Sequence, residues 1–404
     1  MKILVVGGGS GGHITPAIAV VRKILEKRPR TKVEFWTDRK YYTNVSKIAV
    51  ENQLNFRTRK VSAGKFHRYA GWKFVDYFEH MDITLKDLIL GNILGFLGFI
   101  GGLVQSFWRL AGREGRPDVI FLKGGYVGLP VGMVAKVLKI PYVIHESDVV
   151  AGLANRLLMK RAEVVAMGMP FEKTEATPKN WEWVGIPVAK EFRKVSEARK
   201  RELKKAFGFC SDETLVVVTG GSQGSRNINE AIRAILPELL KKTAVGLVAG
   251  RKLYEEMVDL KQYEKWEKAT LKSNFRMWEF NSAMDELLGA ADIVVSRAGA
   301  TTIAELAMLE KAVILVPFAR LPGGHQVKNA ERLKKNEAVV VVNDEKMQKK
   351  PEVLLEEILK LVKSPKRREE LARKLGAEAK GDSAARLAEI VIGVGEKGKD
   401  GGKG

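Results

Sequence analysis

Short uninterrupted apolar runs, rich in β-branched residues, recur along the 404-residue chain and alternate with segments whose apolar positions repeat at helical spacing. Runs that are apolar at every position suit strands buried on both faces, as in a parallel sheet covered by helices. On this pattern residues 2–6, 33–37, 118–122, 141–145 and 163–166 are strands in the first half. Residues 215–219, 244–249, 275–280, 292–296, 312–317 and 338–342 are strands in the second half, and residues 16–25, 196–206, 303–309 and 383–394 are helices. Parallel neighbours need a long crossover, which the strand–helix alternation supplies, so the predicted class is α/β.

Each half opens in the same way. VVGGGSGG (residues 5–12) and VVTGGSQGS (residues 217–225) are each an apolar strand running into a glycine loop and then a helix. Two such heads predict two Rossmann-like domains, residues 1–186 and 187–379, with residues 183–192, which contain Pro187, as the linker. The Gly/Lys-rich residues 395–404 read as a disordered tail.

Polar residues gather where the predicted strands end. In open α/β sheets that edge binds ligands, with anionic parts facing helix N-termini. The richest such stretch is residues 291–330: a strand, a break at Gly299, the pair Thr301 and Thr302, a helix, a second strand, and a Pro/Gly loop carrying His325 and Gln326. Thr302-x-x-Glu305 has the form of a capping box, which places Glu305 in the first turn of its helix. Taken singly, Glu305 and Thr302 read as caps and His325 as a loop residue. Together they offer a carboxylate for sugar hydroxyls, a glycine for close backbone approach and an amide, which describes a nucleotide-sugar site. The first glycine loop precedes Pro16, which suits a first helical turn. Its Gly7-x-Gly9-x-x-Gly12 spacing, with Asp38 after the second strand, also fits a dinucleotide fingerprint. His13 is unusual in such a loop; its imidazole either braces the loop or faces a bound hydroxyl. KGGYVGLP (residues 123–130) is another glycine-rich turn, and His145, Glu146 and Asp148 stand at a further strand end.

Composition narrows the partners. A single cysteine, Cys210, rules out a disulfide framework and suits a reducing cytoplasm. The start MKILVVGGG reads as a first strand rather than a signal peptide. The net charge of +21 fits nucleic acid, an anionic membrane or anionic substrates. No nucleic-acid motif accompanies it and the basic residues are scattered, which favours the last two and predicts no nucleic-acid partner. Residues 57–73 mix basic side chains with aromatics, and residues 88–108 carry no charge. That run is long enough to span a bilayer. Asn92, Gln105, Ser106 and five glycines lower its insertion tendency, and a span between two strands of one sheet would divide the domain. It reads as one or two helices, partly core and partly an apolar patch in the membrane interface, and its periodicity suits a buried helix equally well. No His, Cys and carboxylate cluster has metal-ligand spacing, so neither metal nor cofactor is predicted.

The motifs GGGSGGHITPA (residues 7–17), KGGYVGLP, HESDVVAGLANR (145–156), GGSQGSRNIN (220–229), SRAGATTIAEL (296–306) and GGHQVKNA (323–330) resemble the MurG family of peptidoglycan N-acetylglucosaminyltransferases, and the similarity runs along nearly the whole chain. The resemblance implies a GT-B fold: two Rossmann-like domains facing a cleft, with a C-terminal helix at residues 380–394 crossing back to the first. It implies transfer of N-acetylglucosamine from UDP-N-acetylglucosamine to the 4-hydroxyl of the muramoyl sugar of lipid I, giving lipid II with inversion. His13 matches a candidate general base. Ser10, Gly11, Gly12, Asp148, Ser222, Gln223, Asn281, Ala300, Thr301, Thr302, Glu305, His325 and Gln326 match donor-binding positions, with Glu305 on the ribose, and Lys190 and Arg297 are candidate diphosphate contacts. The implied place is the cytoplasmic face of the cell membrane, as a peripheral protein, with UDP-N-acetylglucosamine, lipid I, anionic lipid and other cell-wall synthesis proteins as partners.

Departures from the family pattern are local. His145-Glu-Ser-Asp148 stands for HEQN, Gly185-Ile-Pro-Val-Ala189 for GNPVR, and Glu310 and Ala312 for Gly and Pro. Losing the arginine matters because lysine does not replace a guanidinium at a bidentate site. Competing readings are a diacylglycerol glucosyltransferase, a UDP-sugar epimerase, a nicotinamide oxidoreductase built on the first loop and Asp38, and an inactive membrane scaffold.

Overall fold

A computed structural model of the chain describes residues 1–64, 85–112, 115–170, 180–221, 224–258, 274–319 and 322–400. The chain divides into two compact units, Met1–Ala189 with Lys380–Gly404, and Lys190–Ala379. The break lies three residues beyond the one expected from the linker composition.

The first unit is built on β1 (Lys2–Val6), β2 (Lys32–Thr37), β3 (Phe56–Lys60), β4 (Val119–Leu122), β5 (Tyr142–Glu146), β6 (Val164–Met167) and β7 (Trp181–Trp183). They form one parallel sheet in the order β3-β2-β1-β4-β5-β6-β7. Ile3 lies beside Val33 on one side and Val119 on the other, so the central strands are apolar on both faces. Ile14, Val21 and Ile24 of the Gly11–Lys27 helix cover one face together with Leu387, Ala388 and Val391 of the Ser383–Asp400 helix. Val131, Val134 and Ala135 of the Gly128–Val137 helix cover the other. β3 and β7 escaped the apolar-run criterion because they are the sheet edges: FRTRK carries three charges, and WEW is only three residues long.

Three expectations are corrected or sharpened here. The helix after the first glycine loop begins at Gly11, so Pro16 lies in its second turn rather than its first. The glycine loop itself winds into the helix, and Pro16 only leaves the Gly12 carbonyl without its helical donor. The uncharged run forms one helix, Leu85–Ala111. Gly95 and Gly102 face inward, and Gly102 lies so near the chain that a Cβ would sit 2.1 Å from the Ser62 carbonyl. The large side chains therefore point out, with Ile93, Leu94, Phe96 and Leu97 more than half exposed. Finally, the C-terminal helix continues to Asp400 instead of ending at residue 394, with Gly395 packed against Met1 and Val119. The basic aromatic stretch from residue 65 onward lies outside the described residues.

The second unit contains β8 (Leu215–Thr219), β9 (Ala244–Val248), β10 (Phe275–Trp278), β11 (Ile293–Ser296), β12 (Ala312–Leu315) and β13 (Val340–Val341), parallel in the order β10-β9-β8-β11-β12-β13. The Arg226–Leu239 helix, capped by the Ser225 hydroxyl, buries Ile228, Ile232, Ile235 and Leu239 against this sheet. The strand order reverses between β1 and β4 and again between β8 and β11. Loops leaving those strand pairs diverge to opposite faces and open a crevice at each carboxyl edge.

Candidate functional site

At the carboxyl edge of the first sheet, Ser10 is the N-cap of the Gly11–Lys27 helix, Gly11 and Gly12 are its first two residues, and His13 is its third. Asp38, at the end of β2, accepts hydrogen bonds from the Gly9 N–H at 2.6 Å and from the Tyr41 N–H. It is a brace for the glycine loop, so the carboxylate that suggested a dinucleotide is spent inside the fold. Glu146 has a similar role: it accepts from the Asp148 N–H, the Gly152 N–H and the Asn155 amide, which shapes the loop holding Asp148. Burial, with Asp148 next, raises the Glu146 carboxyl above the usual range. His145 Nε2 donates to the Gly185 carbonyl at 2.9 Å, tying β5 to the segment that leaves this unit.

His13 differs from its sequence-based expectation. Its Nδ1 is buried with no hydrogen-bond partner among the described residues. Burial first, and the Lys123 charge second, press its pKa down to about 3, with the Lys123 backbone pulling the other way. An ordinary histidine titrates near neutrality, but this one stays neutral at every physiological pH. Sequence reasoning passed over Lys123 itself, reading it only as the start of a glycine turn. The visible signal was a cation at the end of a buried apolar strand.

At the carboxyl edge of the second sheet, Gly221 and Gly224 turn the chain after β8 with positive φ. A Cβ on Gly224 would lie 2.2 Å from the Ala249 carbonyl, so no other residue fits this turn without displacing β9. Ser222 and Gln223 lie outside the described residues. After β11, Gly299 is the N-cap of the Ala300–Met308 helix, whose first three residues, Ala300, Thr301 and Thr302, present unpaired backbone N–H groups as an anion seat. This overturns the capping box, because the helix starts one turn earlier and Glu305 belongs to its second turn. Glu305 is half-buried, and its carboxylate has no hydrogen-bond partner among the described residues. Burial alone raises its pKa to about 7.

After β12, His325 and Gln326 open the His325–Lys335 helix. Gln326 Oε1 accepts from the Phe318 N–H at 2.9 Å, which leaves its amide hydrogens for other partners. The Asn329 amide donates to the Ala298 carbonyl, so this helix is tied to the loop after β11. After β10, Asn281 Oδ1 accepts from the Ala283 N–H, and the Arg251 guanidinium lies over the half-exposed Phe280 ring. Arg297 proves to be a strut: Nη1 pairs with Asp344 at 2.6 Å and donates to the Val316 carbonyl. That buried pair argues against Arg297 as a diphosphate contact. Lys190 is exposed at the start of the second unit.

Residues 3–167 match the glycosyltransferase family 28 N-terminal domain, and residues 215–387 match the glycosyltransferase family 28 C-terminal domain. The chain is 31% identical over 393 residues to a protein of Carboxydothermus hydrogenoformans, covering 97% of each. That protein is named UDP-N-acetylglucosamine--N-acetylmuramyl-(pentapeptide) pyrophosphoryl-undecaprenol N-acetylglucosamine transferase. This chain belongs to glycosyltransferase family 28. A Clostridium perfringens relative of the same name is 33% identical over 370 residues, 90% of each chain. Among solved structures, the Acinetobacter baumannii MurG matches with a TM-score of 0.68 at 20% identity, covering 97% of this chain and 99% of that one. A UDP-N-acetylglucosamine 2-epimerase from Neisseria meningitidis matches with a TM-score of 0.62 at 12% identity, over 97% of this chain and all of that one. The family 28 member described here is thus a glycosyltransferase of the two-sheet GT-B fold. Membership also removes the dinucleotide oxidoreductase reading.

Proposed function

We propose that this chain moves N-acetylglucosamine from UDP-N-acetylglucosamine to the muramoyl 4-hydroxyl of an undecaprenyl-pyrophosphoryl muramoyl-pentapeptide, making lipid II at the cytoplasmic face of the membrane. The observation that carries the reading is Glu305: a carboxylate without a partner among the described residues, one turn inside a helix whose free N–H groups suit a diphosphate, in a domain of family 28. Relatives bearing that activity in their names align from end to end, which supports the same substrates. Glu305 takes the ribose hydroxyls, the Ala300–Thr302 N–H groups and the Gly220–Gly224 turn take the diphosphate, and Gln326 with His325 takes the sugar. The acceptor oxygen bonds to the anomeric carbon as the bond to phosphate breaks. UDP leaves with the electron pair, and the hydroxyl proton goes to neutral His13. Backbone N–H groups at a helix start stabilise the charge growing on the leaving diphosphate. The exposed apolar side of the Leu85–Ala111 helix, on a chain of charge +21, supports a peripheral seat on anionic lipid.

The test is transfer of radiolabelled N-acetylglucosamine to a short-chain lipid I analogue. One UDP released per disaccharide–lipid formed is the expected result. No transfer, or conversion of the donor to its 2-epimer, overturns the reading.

A further inference from the structure

Arg297 and Asp344 form an ion pair that the chemistry above does not use, its members 9% and 4% exposed. Arg297 Nη1 donates to Asp344 Oδ1 at 2.6 Å and to the Val316 carbonyl at 3.0 Å. Asp344 Oδ2 accepts from the Asn227 amide at 2.8 Å and from the Gln348 amide at 3.1 Å. A buried ion pair is a poor device for stability alone. Taking both charges out of water offsets their attraction, and apolar residues of similar volume often serve as well. What sets this pair apart is what it connects. Arg297 stands two residues before Gly299, the N-cap of the Ala300–Met308 helix, and that N-cap has no side chain to fix the first turn. Asn227 is the second residue of the Arg226–Leu239 helix, just past the glycine turn that follows β8. One carboxylate therefore ties together the two loops whose N–H groups take the donor diphosphate in the proposed reaction. The same guanidinium lies 5.2 Å from the centroid of the Phe318 ring, and the Phe318 N–H donates to Gln326 Oε1.

We propose that Arg297 and Asp344 are positioning residues for the donor: their ion pair sets the spacing between the glycine turn after β8 and the start of the Ala300–Met308 helix, so that both reach one diphosphate. The inference rests on this edge of the second sheet being the UDP-sugar site. Neither side chain touches the phosphates in this scheme. Asp344 matches the guanidinium charge, so attraction for the diphosphate comes from backbone N–H groups, which act together only when both loops are held in register. A diphosphate spans the two loops, whereas a monophosphate needs only one of them. Loosening the pair therefore costs affinity for the second phosphate and leaves the contacts to the nucleoside and the first phosphate nearly as they were.

The experiment is calorimetric titration of the full chain with UDP and with UMP, beside a thermal melt of each variant. The wild type should bind UDP more tightly than UMP. Arg297→Met combined with Asp344→Leu replaces the pair by apolar side chains and leaves no buried charge unmatched, so the melting temperature should hold. Its UDP affinity should fall roughly tenfold, the low end of what losing a supporting hydrogen bond behind a ligand costs at metal sites, with UMP affinity within about twofold. Asn227→Ala keeps the ion pair and cuts only its link to the glycine turn. Here UDP affinity should fall about threefold, the worth of one modest hydrogen bond, and UMP affinity should not change. Equal losses for UDP and UMP, or no loss, in either folded variant make the pair a strut of the fold and overturn the proposal; Asn227→Ala decides alone if the double variant does not fold. A wild type that binds UDP no better than UMP removes the diphosphate from this edge, and overturns the donor reading and the proposal together.

Discussion

At the carboxyl edge of the first sheet the carboxylates are bonded into the loops around them, whereas at the edge of the second the central carboxylate has no partner among the described residues. Asp38 and Glu146 each accept two or more hydrogen bonds from their own loops, and His145 holds the Gly185 carbonyl. Glu305 holds nothing among the described residues. The two edges share a strand–glycine loop–helix plan, so the difference lies in where each fold leaves polar capacity unspent. In the first unit it is left on an imidazole and an ammonium, groups for moving a proton. In the second it is left on a carboxylate and a row of helix N–H groups, which suit a diol and a diphosphate.

The largest expected effect breaks the first side of that contrast. His13→Ala should slow single-turnover transfer by about 10²–10⁴-fold, as loss of a general base does, while UDP-N-acetylglucosamine binding changes little. Near-normal turnover at saturating donor would shift the proton to Glu146 or Asp148.

Next, Glu305→Ala should weaken donor binding by roughly 1.5–3 kcal/mol, the worth of a charged hydrogen bond. Calorimetric titration reads it. Since Gly299 and not Glu305 caps the helix, an effect on melting temperature with none on donor affinity would place Glu305 among structural residues.

A third prediction sharpens the second side through pH. The folded pKa of Glu305, about 7, lies above its unfolded value, so between pH 4.5 and 7 the folded state holds the extra proton. Stability therefore falls as pH rises through that window. Glu305→Gln should be more stable than wild type at pH 8, on the order of 1–2 kcal/mol after allowing for partial exposure, and equal to it near pH 4. Donor affinity of the wild type should rise with pH through about 7, as the carboxylate ionises and can accept from both ribose hydroxyls. A pH-independent affinity would separate Glu305 from the ribose.

The smallest effect concerns the outer face of the first unit. Leu94→Ala and Leu97→Ala should each weaken binding to anionic vesicles by about 1 kcal/mol, part of the value of a fully buried leucine, without changing the melting temperature. Added salt should release part of the wild-type protein. Release by detergent alone, with residues 88–108 protected from protease, would mean a true span.

Much of this was legible from the chain alone. Eleven strands were predicted within a few residues, because strands buried on both faces must be apolar throughout, and that pattern needs no neighbours to be seen. The edge strands β3 and β7 were not legible, since a strand paired on one side can carry charge and is recognised only by its partner. The glycine heads announced two parallel-sheet units, and the motifs named the family that the domain matches later bore out. Residue type and spacing put Glu305 forward as a carboxylate past a strand end, but with the wrong local geometry: a capping box is a pattern of two residues, and the turn before it was free to start the helix.

What only the tertiary structure decided is how each polar group spends its hydrogen bonds. Asp38, Arg297 and Glu305 are equally plausible ligand contacts in the sequence, yet two of them are consumed by partners far along the chain, Asp38 by Gly9 and Arg297 by Asp344, while Glu305 is left over. The proton affinity of His13 belongs to the same class. It is set by burial and by Lys123, more than a hundred residues away in sequence and brought alongside because β4 pairs with β1. Apolar burial follows from a residue's own side chain and its period, but electrostatics depends on distance in space, and distance in space exists only once the sheet has assembled.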